Sequence, residues 1–182
     1  MLELSMNILD IVENSTRAGA NLIRIGITED RENDTLRIEI ADNGEGMEPD
    51  VIQKALDPFY TSKTVRRVGL GLPLLSHATK ITGGECEIES KKGEGTTVTA
   101  RFGYSHIDRQ PLGDMATTMI AMITGNPGVD FVYTHRSGDN SYTLDTREVK
   151  NELEDVPIDY PTVLQFLKEN IRDGLKEIGA GS

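Results

Sequence analysis

Cysteine is almost absent from this chain of 182 residues, where Cys86 is the only one. A single thiol can neither close an internal disulfide nor form a multi-cysteine metal site, so the composition points to a reducing, cytoplasmic setting. Long apolar runs are missing too. No stretch approaches the roughly 18 residues a membrane-spanning helix requires, and the N-terminus lacks the basic and apolar regions of a secretory signal, so no membrane partner is expected. Positive charge is scarce: 19 Lys and Arg against 30 Asp and Glu give a net charge of −11. Affinity for phosphate backbones comes from clustered Lys and Arg, and the deficit argues against nucleic acid as a partner. The acidity is no detachable tail, because residues 1–103 carry 12 basic and 17 acidic side chains and residues 104–182 carry 7 and 13. Without repeats or low-complexity segments, the chain is long enough for one good core, or for one domain plus a compact appendage.

What is present is strong patterning. From Leu4 to Ala18, the residues Leu4, Ile8, Ile11, Val12 and Ser15 or Ala18 follow helical spacing, and Gly19 is placed to stop the helix. "NLIRIGIT" and "TLRIEIA" alternate apolar with polar residues around the polar "EDRENDT", the pattern of a half-buried hairpin. A short helix is expected from Pro49 to Leu56, an irregular loop from Asp57 to Gly71 and a helix from Pro73 to Ile81. A second hairpin follows, "ECEIES" and "TTVTARF" turned by "KKGEG". Helices on one face of a mostly antiparallel sheet make an α+β fold of the two-layer α/β sandwich kind. Residues 104–182 read as a C-terminal α-β-β-α extension. Its helices are "QPLGDMATTMIAMITG" and "PTVLQFLKENIRDGLKEIGA", around a hairpin of "VDFVYTH" and "SYTLDT" turned at "RSGDN".

The first helix is polar on the side opposite its apolar stripe. Asn7, Asp10, Asn14 and Arg17 recur at intervals that put them within about 80° of one another on a helix of 3.6 residues per turn. A solvated face explains such a stripe by itself. Three later motifs are equally weak alone. "ADNGEGM" (residues 41–47) puts Asp42 at a strand end, with Gly44 and Gly46 able to turn sharply or let a ligand approach, though Asp-Asn-Gly is also an ordinary turn. "VGLGLPLL" places Gly69 and Gly71 before a helix, where backbone amides favour anions. "GEGTTV" (residues 93–98) suits a plain hairpin turn. No Gly-Lys-Ser/Thr completes a P-loop, and the third glycine of the dinucleotide fingerprint is missing.

In order and together these elements are specific. A polar-striped helix with Asn14, Asp-x-Gly-x-Gly after a strand, Gly-Leu-Gly-Leu before a helix and Gly-x-Gly-Thr in a hairpin resemble the GHKL ATPase superfamily. That superfamily includes the catalytic domains of sensor histidine kinases, anti-sigma-factor serine kinases, mismatch-repair ATPases, type II topoisomerases and a heat-shock chaperone. The resemblance covers about residues 3–103 and implies a Bergerat-type ATP-binding fold, here a histidine kinase-like domain over residues 1–103. It implies ATP and Mg²⁺ as cofactors. Asn14 would be the metal ligand, its side-chain oxygen suiting a hard ion; Arg17 would reach the phosphates; Asp42 would accept from the adenine amino group, with Gly44, Gly46 and Met47 around the base. Residues 57–72 match the ATP lid. There Gly69, Leu70, Gly71 and Leu72 would wrap the phosphates, with Lys63, Arg66 or Arg67 as cations. Thr96 would support the adenine-side contacts.

Asp10 departs from the pattern. One turn before the magnesium asparagine, the hydrolysing relatives carry a glutamate base and many histidine kinases an asparagine. An aspartate is one methylene shorter, and a misplacement near 1 Å costs on the order of 100-fold, so the expectation is slow turnover with Asp10 as the catalytic base. "VENSTRAGA" is closer to the mismatch-repair form, and "DPFYTSK", "GLGL" and "GEGTTV" to the histidine kinases. With the ATP-site helix starting near residue 3, no room is expected ahead of it for a phosphoacceptor-histidine domain, which implies a stand-alone module. His77, His106 and His135 read as packing or surface residues, and Met115, Met119 and Met122 as core filler more readily than a binding groove. The implied function is Mg-ATP binding coupled to phosphoryl transfer onto a partner protein, or to slow hydrolysis, in signal transduction. The alternative is a non-catalytic ATP/ADP sensor whose ordered lid binds a partner; a mismatch-repair-like DNA-linked ATPase is disfavoured by the acidic charge. The identity of the partner, and a homodimer, stay open.

Overall fold

The computed structural model describes residues 3–56 and 71–180. Its centre is a six-stranded sheet in the order β3-β4-β2-β1-β5-β6. The hairpin of β1 (Leu22–Asp30) and β2 (Thr35–Asp42) forms where the alternation predicts it, with Ile25 opposite Ile40 and Ile27 opposite Ile38. β4 (Gly95–Gly103) pairs antiparallel with β2 and with β3 (Glu85–Lys91), which is the edge strand. Because strand side chains alternate between faces, Ile23, Ile25, Ile27, Leu36, Ile38, Ile40, Val98, Ala100 and Phe102 all point to one side and are buried there. The opposite face carries residues such as Arg24, Arg37 and Glu39 and meets water.

Helix α1 (Leu4–Arg17) covers the apolar face with Leu4, Ile8, Ile11 and Val12. It has no side-chain N-cap. Instead the Leu4 and Ser5 N–H groups donate to the carbonyls of Pro111 and Leu112, at 3.0 and 2.8 Å, so the segment after β4 closes the helix start. Gly19, at φ +76°, ends the helix, and the Ala20 N–H returns to the Ser15 carbonyl at 3.1 Å. Helix α2 (Pro49–Ala55) follows β2, and α3 (Gly71–Ile81) packs beside α1 and against β3 and β4.

The C-terminal segment does more than append. β5 (Asp130–Ser137) lies parallel to β1, Tyr133 opposite Ile25, and β6 (Asn140–Asp145) continues the same sheet. β4 and β5 run in the same direction, so the chain must cross over the sheet between them, and α4 (Met115–Gly125) supplies that crossover. Met115, Met119 and Met122 are fully buried and belong to the core. One helix was not anticipated: α5 (Thr146–Leu153) sits between β6 and α6 (Pro161–Glu177), making the order α-β-β-α-α. It is short and polar, and it is started by the Asp145 side chain, which accepts from the Arg147 N–H at 3.0 Å.

His135 is a core residue, 1% exposed, in a buried polar chain that ties β5 to β1. Its Nε2 lies 2.7 Å from Glu29 Oε1 and its Nδ1 2.8 Å from the Tyr133 hydroxyl, and Tyr104 donates to Glu29 Oε2 at 3.1 Å. Burial pushes the Tyr133 hydroxyl far above its ordinary pKa, so it remains a neutral hydrogen-bonding group. His77 and His106 are exposed, as expected.

Candidate nucleotide site

The site lies where the C-terminal end of α1 meets the end of β2 and the β3–β4 turn. A cavity of about 230 Å³ opens there. Asp42, the last residue of β2, is held from two sides: the Gly44 N–H donates to Oδ1 at 2.9 Å and the Ser15 hydroxyl to Oδ2 at 2.6 Å. Both carboxylate oxygens are thus oriented while lone pairs remain for a ligand. Thr96 is the cross-strand neighbour of Asp42 on β4, so the two side chains share a face and both line the cavity.

The loop after Asp42 requires its glycines. A Cβ at Gly44 would stand 2.9 Å from the Ala18 carbonyl oxygen, which accepts from the Glu45 N–H at 2.9 Å. At Gly46, φ is +66° and a Cβ would come within 2.0 Å of the Lys91 carbonyl, which no side chain permits. This close approach folds the loop against the β3–β4 turn and shapes the cavity wall, to which Met47 and Gly46 contribute. The remaining wall is apolar, from Ile11, Val51, Leu72 and Val98, which suits the faces of a flat ring. The mouth is charged: Glu45 and Lys92 approach to 3.7 Å, and the exposed Arg17 pairs with Glu13 at 3.2 Å.

The sequence candidates therefore fall into three groups. Asn14, Arg17, Asp42, Gly46, Met47, Leu72 and Thr96 line one cavity, and Gly44 lies just behind it. Asp10 is not on the wall. It stands one turn up α1 from Asn14, and Gly71 is packed so closely that a Cβ there would come within 2.7 Å of the Asp10 Cβ. Desolvation raises the Asp10 pKa, the Glu13 charge adds to this, and Arg17 partly offsets it. Lys63, Arg66, Arg67, Gly69 and Leu70 lie outside the described residues.

Two residues of the site went unread in the sequence. Ser15 reads in the sequence as part of the apolar stripe, and it is buried, but its hydroxyl reaches Asp42 across 27 residues of chain. Ser90 on β3 accepts from the Met47 N–H at 2.8 Å and contacts Thr96 Oγ1 at 2.7 Å. A serine next to the candidate Asn14 was a faint signal for the first; nothing local marks the second. Cys86 does not line the cavity, and burial pushes its thiol up to about 11.

Known proteins bear on this geometry. Residues 2–106 match the family model described as histidine kinase-, DNA gyrase B-, and HSP90-like ATPase. Among curated relatives, the histidine protein kinase DivJ of Caulobacter vibrioides is 30% identical over 103 residues, covering 54% of this chain and 17% of that protein. The non-motile and phage-resistance protein of the same organism is 28% identical over 114 residues, 59% of this chain and 14% of that protein. The sensor kinase CckA of Brucella abortus is 40% identical over 67 residues, 36% of this chain and 7% of that protein. The matched segments thus span less than a fifth of these relatives. In fold, the chain is similar to a crystal structure of the N-terminal domain of a DNA repair protein, with a TM-score of 0.54 at 20% identity over 80% of this chain and 53% of that one. The family match extends over more than half of the residues and coincides with the part that builds the cavity, and the chain belongs to the histidine kinase-, DNA gyrase B- and HSP90-like ATPase family, whose domain implies ATP binding.

Proposed function

We propose that this chain binds Mg-ATP and passes the terminal phosphate to a partner protein, or slowly to water, within a regulatory pathway in the cytoplasm. The observation that carries the reading is the arrangement along α1: Ser15 orients Asp42 in the cavity wall, Asn14 lines the same cavity, and Asp10 stands one turn further with a raised pKa. Asp42 accepts from the adenine amino group and the apolar wall takes the ring faces. The fit of Mg²⁺ is a matter of donor chemistry. Asn14 offers one amide oxygen, and among the described residues there is no cluster of three metal-binding side chains, which suits an ion that keeps water and phosphate oxygens around it. Bound there, the ion would neutralise phosphate charge.

The proton then belongs to Asp10. As the attacking hydroxyl or water forms its bond to phosphorus and the bond to ADP breaks, the Asp10 carboxylate takes the proton, a task for which a raised pKa is the useful direction. Residues 104–182, in this reading, brace the domain by extending its sheet. The competing reading, a nucleotide sensor without chemistry, draws support from Asp10 standing outside the cavity wall and against Gly71, where it would register the position of the lid end. Calorimetry with ATP and Mg²⁺, followed by phosphate release and transfer of labelled γ-phosphate to protein, separates the two. Tight binding with no release and no transfer selects the sensor; no binding rejects both.

A further inference from the structure

Ser90, Thr96 and Asp42 are successive cross-strand neighbours on β3, β4 and β2, so their side chains stand in a row on one face, and Asp42 and Thr96 line the cavity. Ser90 Oγ has three close partners: the Met47 N–H at 2.8 Å, the Gly95 carbonyl at 3.0 Å and Thr96 Oγ1 at 2.7 Å. A serine hydroxyl has one proton to give and two lone pairs to receive with. The Met47 amide can only donate, and the Gly95 carbonyl can only accept. One assignment satisfies all three contacts: Ser90 donates to Gly95 and accepts from both Met47 and Thr96. The Thr96 proton is thereby committed to Ser90, away from the cavity.

We infer that Ser90 is a specificity-determining residue, one that acts through Thr96 by holding its proton so that the Asp42 carboxylate and the Thr96 lone pairs meet the base as acceptors. The inference rests on the adenine reading of this site and deepens it. A 6-amino purine brings donors to these acceptors. A 6-oxo purine brings an N1–H that these acceptors can take, but in place of the amino donor it sets a carbonyl oxygen, to which neither the Thr96 hydroxyl, its proton held by Ser90, nor the Ser15 hydroxyl, its proton given to Asp42, donates. Buried acceptors facing acceptors cost more than a missing contact, which is why discrimination by unpaired polar groups exceeds discrimination by size.

The test compares ATP with ITP, which differ in the 6-amino against the 6-oxo group and in the N1 proton that accompanies the latter, on the full chain. Ser90→Ala frees the Thr96 hydroxyl to donate, and the ATP-to-ITP affinity ratio is expected to fall about tenfold, the worth of one hydrogen bond. Ser90→Thr keeps the hydroxyl and should keep the wild-type ratio. A serine that merely braces the wall through Met47 would lower both affinities alike, so an unchanged ratio in Ser90→Ala overturns the inference and leaves the adenine reading standing. Wild-type protein that binds ATP and ITP equally overturns the adenine reading, and the inference with it. Should Ser90→Ala fail to fold, Ser90→Cys carries the same test, because its thiol keeps the volume and hydrogen-bonds weakly; a wild-type ratio there refutes the role.

Discussion

Asp42→Asn changes a single atom, and the surroundings of Asp42 say how it must settle. If the new amide faced Gly44, its N–H would oppose the Gly44 N–H, which now donates to Oδ1 at 2.9 Å. The amide therefore turns to Ser15. That hydroxyl can give up Oδ2 because it already lies 3.2 Å from the Ile11 carbonyl, to which it would donate while accepting from the new NH₂. The fold survives. Charge-assisted bonds become neutral ones at a cost of about 1 kcal/mol, a fall of roughly 2–4 °C in Tm for a chain of this size. Binding changes far more, because an acceptor on the Ser15 side of the carboxylate becomes a donor. Losing a hydrogen bond to a charged acceptor costs about 1.5–3 kcal/mol, or about 10- to 150-fold in Kd for ATP. ITP, whose 6-oxo group now meets a donor, should bind more tightly than to wild type. Calorimetry with both nucleotides, alongside a thermal melt, measures each part. An Asp42→Asn protein that melts normally and still prefers ATP by the wild-type margin would show that Asp42 does not read the base.

Asp10→Asn should leave ATP affinity intact and lower phosphate release or transfer by about 100-fold or more, as for loss of a general base; equal turnover removes Asp10 from the chemistry. The same substitution bears on stability, because a carboxyl whose folded pKa is raised stabilises the protein only below its ordinary pKa and loses that contribution as pH rises through the raised value. Asp10→Asn should therefore melt slightly higher than wild type at neutral pH, and the advantage should vanish below about pH 4. Asn14→Ala should weaken ATP binding in the presence of Mg²⁺ and change metal-free binding little, so an undiminished magnesium dependence would free Asn14 of the metal role. His135→Leu leaves Glu29, 2% exposed, without its imidazole partner, which should cost about 3 kcal/mol and lower Tm by about 10 °C; denaturant unfolding within 1 kcal/mol of wild type would show that the buried chain is not a fastening between β1 and β5.

The sequence alone determined the elements whose cause is local. A 3.6-residue period made α1, strict alternation made β1 and β2, and glycines marked the places where backbone comes within 2.0 Å of a would-be Cβ, as at Gly46. The motif residues were legible for the same reason, each sitting at the end of an element that its own neighbours define. Tertiary structure decided the pairings between distant segments. That β5 lies parallel beside β1 depends on a crossover over the sheet, and a polar 8-residue helix such as α5 has too little periodicity to announce itself. Ser15, Ser90 and His135 carry no local mark of their roles, since a hydroxyl or an imidazole in an amphipathic stretch reads as packing. Their meaning comes from partners such as Asp42, Thr96 and Glu29, and a hydrogen bond between residues as far apart as His135 and Glu29 exists only once the core has brought their strands together.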